Sequence, residues 1–174
     1  MADTSERNLD LEYVGLFHFR RQAKDFFFHS MKCGYTTSPR KGMLSEMPGS
    51  KTIEVVHENF CTLDTYLVTP QGPFSGGTTC QWYGAIPVWM MQYMGYYDED
   101  AIPCLKAALS FNYENDTFYG GRGPEFFVHE GYTYINRVTE NDFFGRASCE
   151  EQIFNPEGRS SGWHCCQSIW MVKP

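Results

Sequence analysis

The chain has 174 residues, a formal charge of −7 and a pI of about 5.2. That length fits one domain with a core that needs no metal or disulfide staple. The acidic balance argues against a phosphate backbone as partner, and no apolar run approaches the ~20 residues of a membrane span.

Basic residues gather only at Arg20, Arg21, Lys24, Lys32, Arg40 and Lys41, with Asp25 and Glu46 among or beside them. No aromatic–basic pattern of an RNA-binding sheet accompanies them, so neither nucleic acid nor membrane is expected as a partner. Seven cysteines, at 33, 61, 80, 104, 149, 165 and 166, form no Cys-x-x-Cys pair. The odd count and the polar start Met1-Ala-Asp-Thr-Ser-Glu-Arg predict free buried thiols in the cytosol. Aromatic residues make up 17% of the chain, which suits strands and pockets with one wet end.

Residues 1–14 are charged and mixed and read as a mobile arm; 15–174 read as a single domain. From Phe17 to Cys33 the spacing of Ala23, Phe27, Ser30 and Met31 predicts a helix, capped near Gly34. Tyr35 to Lys51 is rich in Gly, Pro, Ser and Thr, a loop long enough to cover a site. Strands follow at Thr52–His57, Phe60–Val68, Thr78–Tyr83 and Ile86–Met94, with Pro87 fitting a strand start or an edge. Asp98 to Ser110 predicts a second helix, with Pro103 in its first turn and Leu105, Ala108 and Leu109 on one face. Four more strands are expected near Phe126, Tyr132, Ser148 and Trp163.

Phe74-Ser-Gly-Gly-Thr-Thr-Cys80 and Phe143-Phe-Gly-Arg-Ala-Ser-Cys149 share Phe-x-Gly-x-x-x-Cys, which suggests an internally duplicated strand unit. The fold class that follows is α+β: a curved, mostly antiparallel sheet packed against an N-terminal and a middle helix.

Several groups of residues invite a chemical reading. In His164-Cys165-Cys166 only His164 and Cys166 share a strand face, and two ligands do not make a metal site, so no metal is expected. Gly120-Gly-Arg-Gly-Pro-Glu125 suits either an anion cradle or a tight turn whose Arg122 pairs with a carboxylate at the core's edge. Asp64, Glu125, Glu150 and Glu151 lie nearest the aromatic strands. Tyr66, Trp82, Trp89 and Tyr93 suit a pocket wall or plain core.

The segments Asp64-Thr-Tyr, Phe74-x-Gly, Pro87-Val-Trp-Met-Met-Gln-Tyr-Met-Gly95, Leu105-Lys-Ala-Ala-Leu, Arg122-Gly-Pro, Gly131-Tyr-Thr-Tyr and Phe144-Gly follow one another in a recognisable order. Together, over about residues 24 to 172, the chain resembles a small domain of unknown function. That domain occurs alone and at the C-terminus of bacterial helix-turn-helix regulators of the xenobiotic-response-element class. The resemblance implies an α+β fold and no particular activity. Thr78 and Ala147 stand where the family pattern has Glu after each Phe-x-Gly, and this chain carries no helix-turn-helix.

The leading expectation is a non-catalytic small-molecule-binding or sensor-type domain without a cofactor. Its aromatic pocket would be lined by Asp64, Tyr66, Trp89, Tyr93 and Arg122, with Arg122 neutralising an anionic group. A hydrolytic or acid–base enzyme using Asp64 or Glu125 with a His is the second reading. The third is an interaction module or homodimer that presents Phe26 or Phe28 from the first helix.

Overall fold

The computed structural model describes residues 13–36 and 41–173. Residues 1–12, most of the expected arm, lie outside the described residues. Helix α1 already includes Tyr13 and runs Tyr13–Met31, ending in a π-helical turn, Lys32–Thr36. Four strands come next: β1 (Ser50–His57), β2 (Phe60–Val68), β3 (Phe74–Tyr83) and β4 (Ile86–Tyr97). A 3₁₀ turn (Glu99–Ala101) leads into α2 (Ile102–Glu114), which begins on Ile102-Pro103, where a missing N–H costs nothing. The chain then lays down β5 (Phe126–His129), β6 (Tyr132–Asn141), β7 (Arg146–Phe154) and β8 (Ser160–Trp170).

All eight strands join one open, curved antiparallel sheet in the order β1-β2-β3-β4-β8-β7-β6-β5. Each half is a helix followed by a four-strand meander, and the halves meet where β4 pairs with β8. The second strands of the two halves start 72 residues apart, at Phe60 and Tyr132, and so do the third, at Phe74 and Arg146; the first and fourth are offset by 76 (Ser50, Phe126) and 74 (Ile86, Ser160). The duplication is therefore architectural.

The Phe-x-Gly-x-x-x-Cys likeness does not mark equivalent positions. Its copies start 69 residues apart, at Phe74 and Phe143, three short of the strand offset. An odd slip exchanges the faces of a strand. Accordingly Cys80 alternates outward beside inward Thr79 and Gln81, while Cys149 is buried on the inner face.

One layer of helix covers the inner face. Phe27, 1% exposed, meets Trp89, Tyr113, Phe118 and Phe143 with ring centroids 4.9–6.3 Å apart. Buried aromatic rings of this kind contribute roughly 0.5–1.5 kcal/mol per pair beyond area burial. Gln81, inward on β3, donates through Nε2 to the Ala23 carbonyl at 2.8 Å and ties α1 to the sheet.

Two expectations are corrected here. Phe26 and Phe28 are 4% and 3% exposed, so α1 offers neither to a partner. The helix is wrapped on more than one side, and its polar stripe is narrower than the sequence suggests. Of the seven cysteines, Cys149 and Cys166 are register partners on β7 and β8 and are joined as a disulfide; Cys33, Cys61, Cys80, Cys104 and Cys165 are free. No helix among the described residues is long and apolar enough to cross a membrane.

Candidate functional site

Between α2 and the first meander lies a cavity of about 590 Å³, within the range of small-molecule sites. Its sheet wall is made of Ile53, Asp64, Tyr66, Tyr93, Tyr97 and His164, and its helix wall of Ile102, Leu105 and Leu109. Gly34, in the π-helical turn after α1, and Lys41, before β1, also line it.

Four of the five residues expected to line a pocket stand together on this wall: Asp64, Tyr66, Tyr93 and Arg122. Trp89 does not. It faces the same side of β4 as Tyr93, but four residues nearer the strand start, roughly 13 Å away. There α1 covers it, and its ring stacks on Phe143 at 5.7 Å. Trp82 falls on the outer face of the sheet, opposite inward Gln81.

Asp64 is 4% exposed, yet it sits in apolar surroundings with donors at hand. The Thr79 hydroxyl donates to its Oδ1 at 2.8 Å and the Tyr93 hydroxyl at 2.7 Å. Alternation dictates this meeting, since Asp64 and Thr79 are register partners on β2 and β3 and both point inward. A buried carboxylate supplied in this way is a strong acceptor at the cavity floor.

Arg122 arrives from the second half. Its turn is held from three sides: Asn112 Nδ2 donates to the Arg122 carbonyl at 2.8 Å, the Tyr113 hydroxyl to the Gly121 carbonyl at 3.1 Å, and the Gly123 N–H to the Tyr134 hydroxyl at 3.1 Å. Gly120 and Gly121 take φ of +63° and +82°, the left-handed region that glycine enters freely. The backbone N–H groups of Gly120, Arg122 and Gly123 donate to the Asn141 side chain, the Tyr119 carbonyl and the Tyr134 hydroxyl. Those three donors are thus engaged within the protein.

Arg122 is 3% exposed and pairs with Glu151, Nη2 to Oε2 at 2.9 Å and Nε to Oε2 at 3.0 Å. Tyr97 donates to the same carboxylate oxygen at 2.8 Å, and Tyr134 donates to Glu151 Oε1. Burial pushes the Glu151 carboxyl up, but the Arg122 charge and the hydrogen bonds from Arg122, Tyr134 and Tyr97 together outweigh it and hold it below the usual range. Burial, reinforced by the Glu151 charge, raises the Tyr97 and Tyr134 hydroxyls well above their ordinary value. Arg122 thus lines the cavity with its charge already balanced by Glu151.

His164, which the sequence offered as a metal ligand or a strand residue, belongs to the same wall. It is 3% exposed and lies against Tyr97 at 4.3 Å and Tyr93 at 6.0 Å. Burial, and secondarily the Arg122 charge, lower its pKa to about 4. Nε2 stands 3.2 Å from the Ser75 hydroxyl, while Nδ1 has no partner among the described residues. A hydroxyl beside an imidazole is the pair nucleophilic catalysis uses. Here no carboxylate orients Nδ1, and an imidazole of so low a pKa is a poor base at neutral pH. Glu125, the other acid considered for catalysis, is exposed and does not line the cavity. Cys166 is held in the disulfide, so it does not join His164 as a ligand.

No protein-family model, curated protein or solved structure matches the chain.

Proposed function

We propose that the protein is a non-catalytic small-molecule-binding domain whose ligand occupies the cavity between α2 and β1–β4. The observation that carries this is the meeting of an apolar helix wall (Ile102, Leu105, Leu109) with Asp64, Tyr66 and Tyr93 of the sheet and Arg122 of the turn after α2, around about 590 Å³. Apolar area supplies affinity, and a few fixed polar groups supply orientation. Asp64 would accept from a hydroxyl or amine at the deep end of the ligand, and the Tyr66 and Tyr93 rings would pack on its body. The resemblance to a domain that follows helix-turn-helix segments supports the same reading, because that is where a regulator carries its sensor.

The test is a fluorescence titration with N-phenyl-1-naphthylamine, a neutral three-ring probe small enough for the cavity. Stoichiometric binding is expected, and Leu105→Trp, which fills the cavity from the helix side, should weaken it by at least about tenfold. No binding, or equal binding to the filled variant, overturns the proposal.

A further inference from the structure

We infer that the ligand is an acid, held by Lys41, Lys51 and Lys106 at the rim of the cavity rather than by Arg122. This rests on the small-molecule reading above. The chain has six lysines, and three of them line this one cavity from three separate elements: the segment before β1, β1 itself and α2. None of the three is ion-paired among the described residues; Lys41 lies 5.5 Å over the Tyr66 ring. The one exposed carboxylate that shares the lining is Glu99. In a chain of formal charge −7, such a local cation excess is a departure that needs a partner.

The interior fixes the direction of the ligand. Arg122 is paired with Glu151, and Asp64 offers an acceptor at the floor. The rim lysines therefore attract the acidic end of the ligand, and Asp64 accepts from its other end. The ligand class is an apolar or aromatic body with an acidic group at one end and a hydrogen-bond donor at the other.

The test compares two probes that share one ring framework, neutral N-phenyl-1-naphthylamine and its sulfonate, 8-anilinonaphthalene-1-sulfonate. The sulfonate is expected to bind about tenfold tighter at low ionic strength, with the difference shrinking as salt screens it. In Lys41→Gln/Lys51→Gln/Lys106→Gln the ratio of the two affinities, read within the same variant, should fall to about one. If the neutral probe binds and the sulfonate gains nothing, or its gain survives the triple substitution, the rim lysines are ordinary solvated charges and the inference fails. If neither probe binds, the cavity reading fails first and takes this one with it.

A separate observation concerns the other face of the sheet. Outward positions of β3, β4 and β8 stand in register as four rows of three, from Phe74, Tyr96 and Trp163 at one end to Cys80, Met90 and Ile169 at the other. None of these twelve positions is charged, in a chain where 20% of residues are. Phe74, Met94 and Ile169 are nevertheless 63%, 58% and 48% exposed. Loss of charge with aromatic and Met enrichment is the composition of an interface centre.

We propose that this face packs against a second copy of the chain. At ~4.8 Å between strands and ~6.8 Å between rows, the outward residues of β2, which continue the uncharged field, bring it to roughly 500 Å². The cross-strand pair Arg137 and Glu150 on β6 and β7 supplies a polar rim. The outward columns of β6 and β7 that carry this rim add roughly 260 Å² at the same spacings, and the sum approaches the ~800 Å² per partner of a stable interface. A second copy fits better than a charged partner because the field is neutral, and two chains of charge −7 can approach closely only where neither carries charge.

Sedimentation equilibrium at about 100 µM should give twice the 20.1 kDa chain mass, and Met94→Lys should return it to the single-chain value. A wild-type chain at single mass overturns the proposal, as does a dimer that Met94→Lys leaves intact. Monomeric protein that instead floats with phosphatidylcholine vesicles would assign the face to lipid and also overturn it.

Discussion

His164 occupies the space that a side chain at Gly95 would fill. The two are register partners on β8 and β4, both inward, and a Cβ at position 95 would collide with the imidazole and with the Trp163 carbonyl. Glycine at this point lets the ring settle between Tyr93 and Tyr97, which flank Gly95 on the same face of β4. Gly95→Ala should therefore push His164 off its tyrosines and cost about 3 kcal/mol or more, read as a lowered denaturant midpoint. An unchanged midpoint would mean that His164 has room to spare.

The ion pair beneath the cavity should be costly to break from one side. Glu151→Gln leaves Arg122 buried without its counter-charge, and losses of about 3–5 kcal/mol are expected. Tyr134→Phe removes one donor to the same carboxylate and should cost about 1–3 kcal/mol. Chemical denaturation of the two variants checks the order. If Tyr134→Phe proved the worse, the network would hang on the hydroxyl rather than on the charge.

Acid should act through His164 before it acts on the carboxylates. The unfolded chain binds this proton near the ordinary value of 6.5, whereas the folded chain binds it only at about 4. Between those values the unfolded state holds more protons, so stability falls as pH drops from 6.5 towards 4 and this contribution is level outside that window. The full loss is about 3 kcal/mol, on the order of 1.4 kcal/mol per unit of displacement. Denaturation curves at pH 7, 6 and 5 should show the decline in the wild-type chain and a flatter profile in His164→Asn. Equal slopes would contradict the buried neutral imidazole.

Trp89 should behave as core and not as a binding residue. Trp89→Ala is expected to cost about 3–5 kcal/mol by opening a void against Phe27 and Phe143. Under conditions where the variant stays folded, its affinity for N-phenyl-1-naphthylamine should match the wild type. A stability change without an affinity change separates the two roles.

The elements were legible because their periods are clean. Phe60–Val68 alternates inward at Phe60, Thr62, Asp64 and Tyr66, and the structure places β2 on those residues. Asp64 and Tyr66 share a wall because period-2 alternation fixes faces within a strand, whereas Tyr93 joins them only through the register of β2, β3 and β4. Trp89 obeys the same alternation and still left the site, because position along a strand relative to a covering helix is a tertiary fact. His164 and the lysines were missed for a related reason: Lys41, Lys51, Lys106 and His164 lie far apart in sequence and only the folding of β1, α2 and β8 onto one space gathers them. Gly95, directly opposite His164, was the available local sign, an inward strand glycine where another backbone or ring approaches closely. The Phe-x-Gly repeat shows the opposite hazard, two halves of like architecture tagged by a motif three residues out of step.

The most direct measurement is an isotope-filtered nuclear Overhauser experiment on the protein saturated with N-phenyl-1-naphthylamine. Cross-peaks from the probe to Tyr93 and to the methyl groups of Leu105, Leu109 and Ile53 are the predicted result. Cross-peaks to Met94 and Ile169 on the outer face instead, or none at all, would contradict the assignment of the cavity as the binding site.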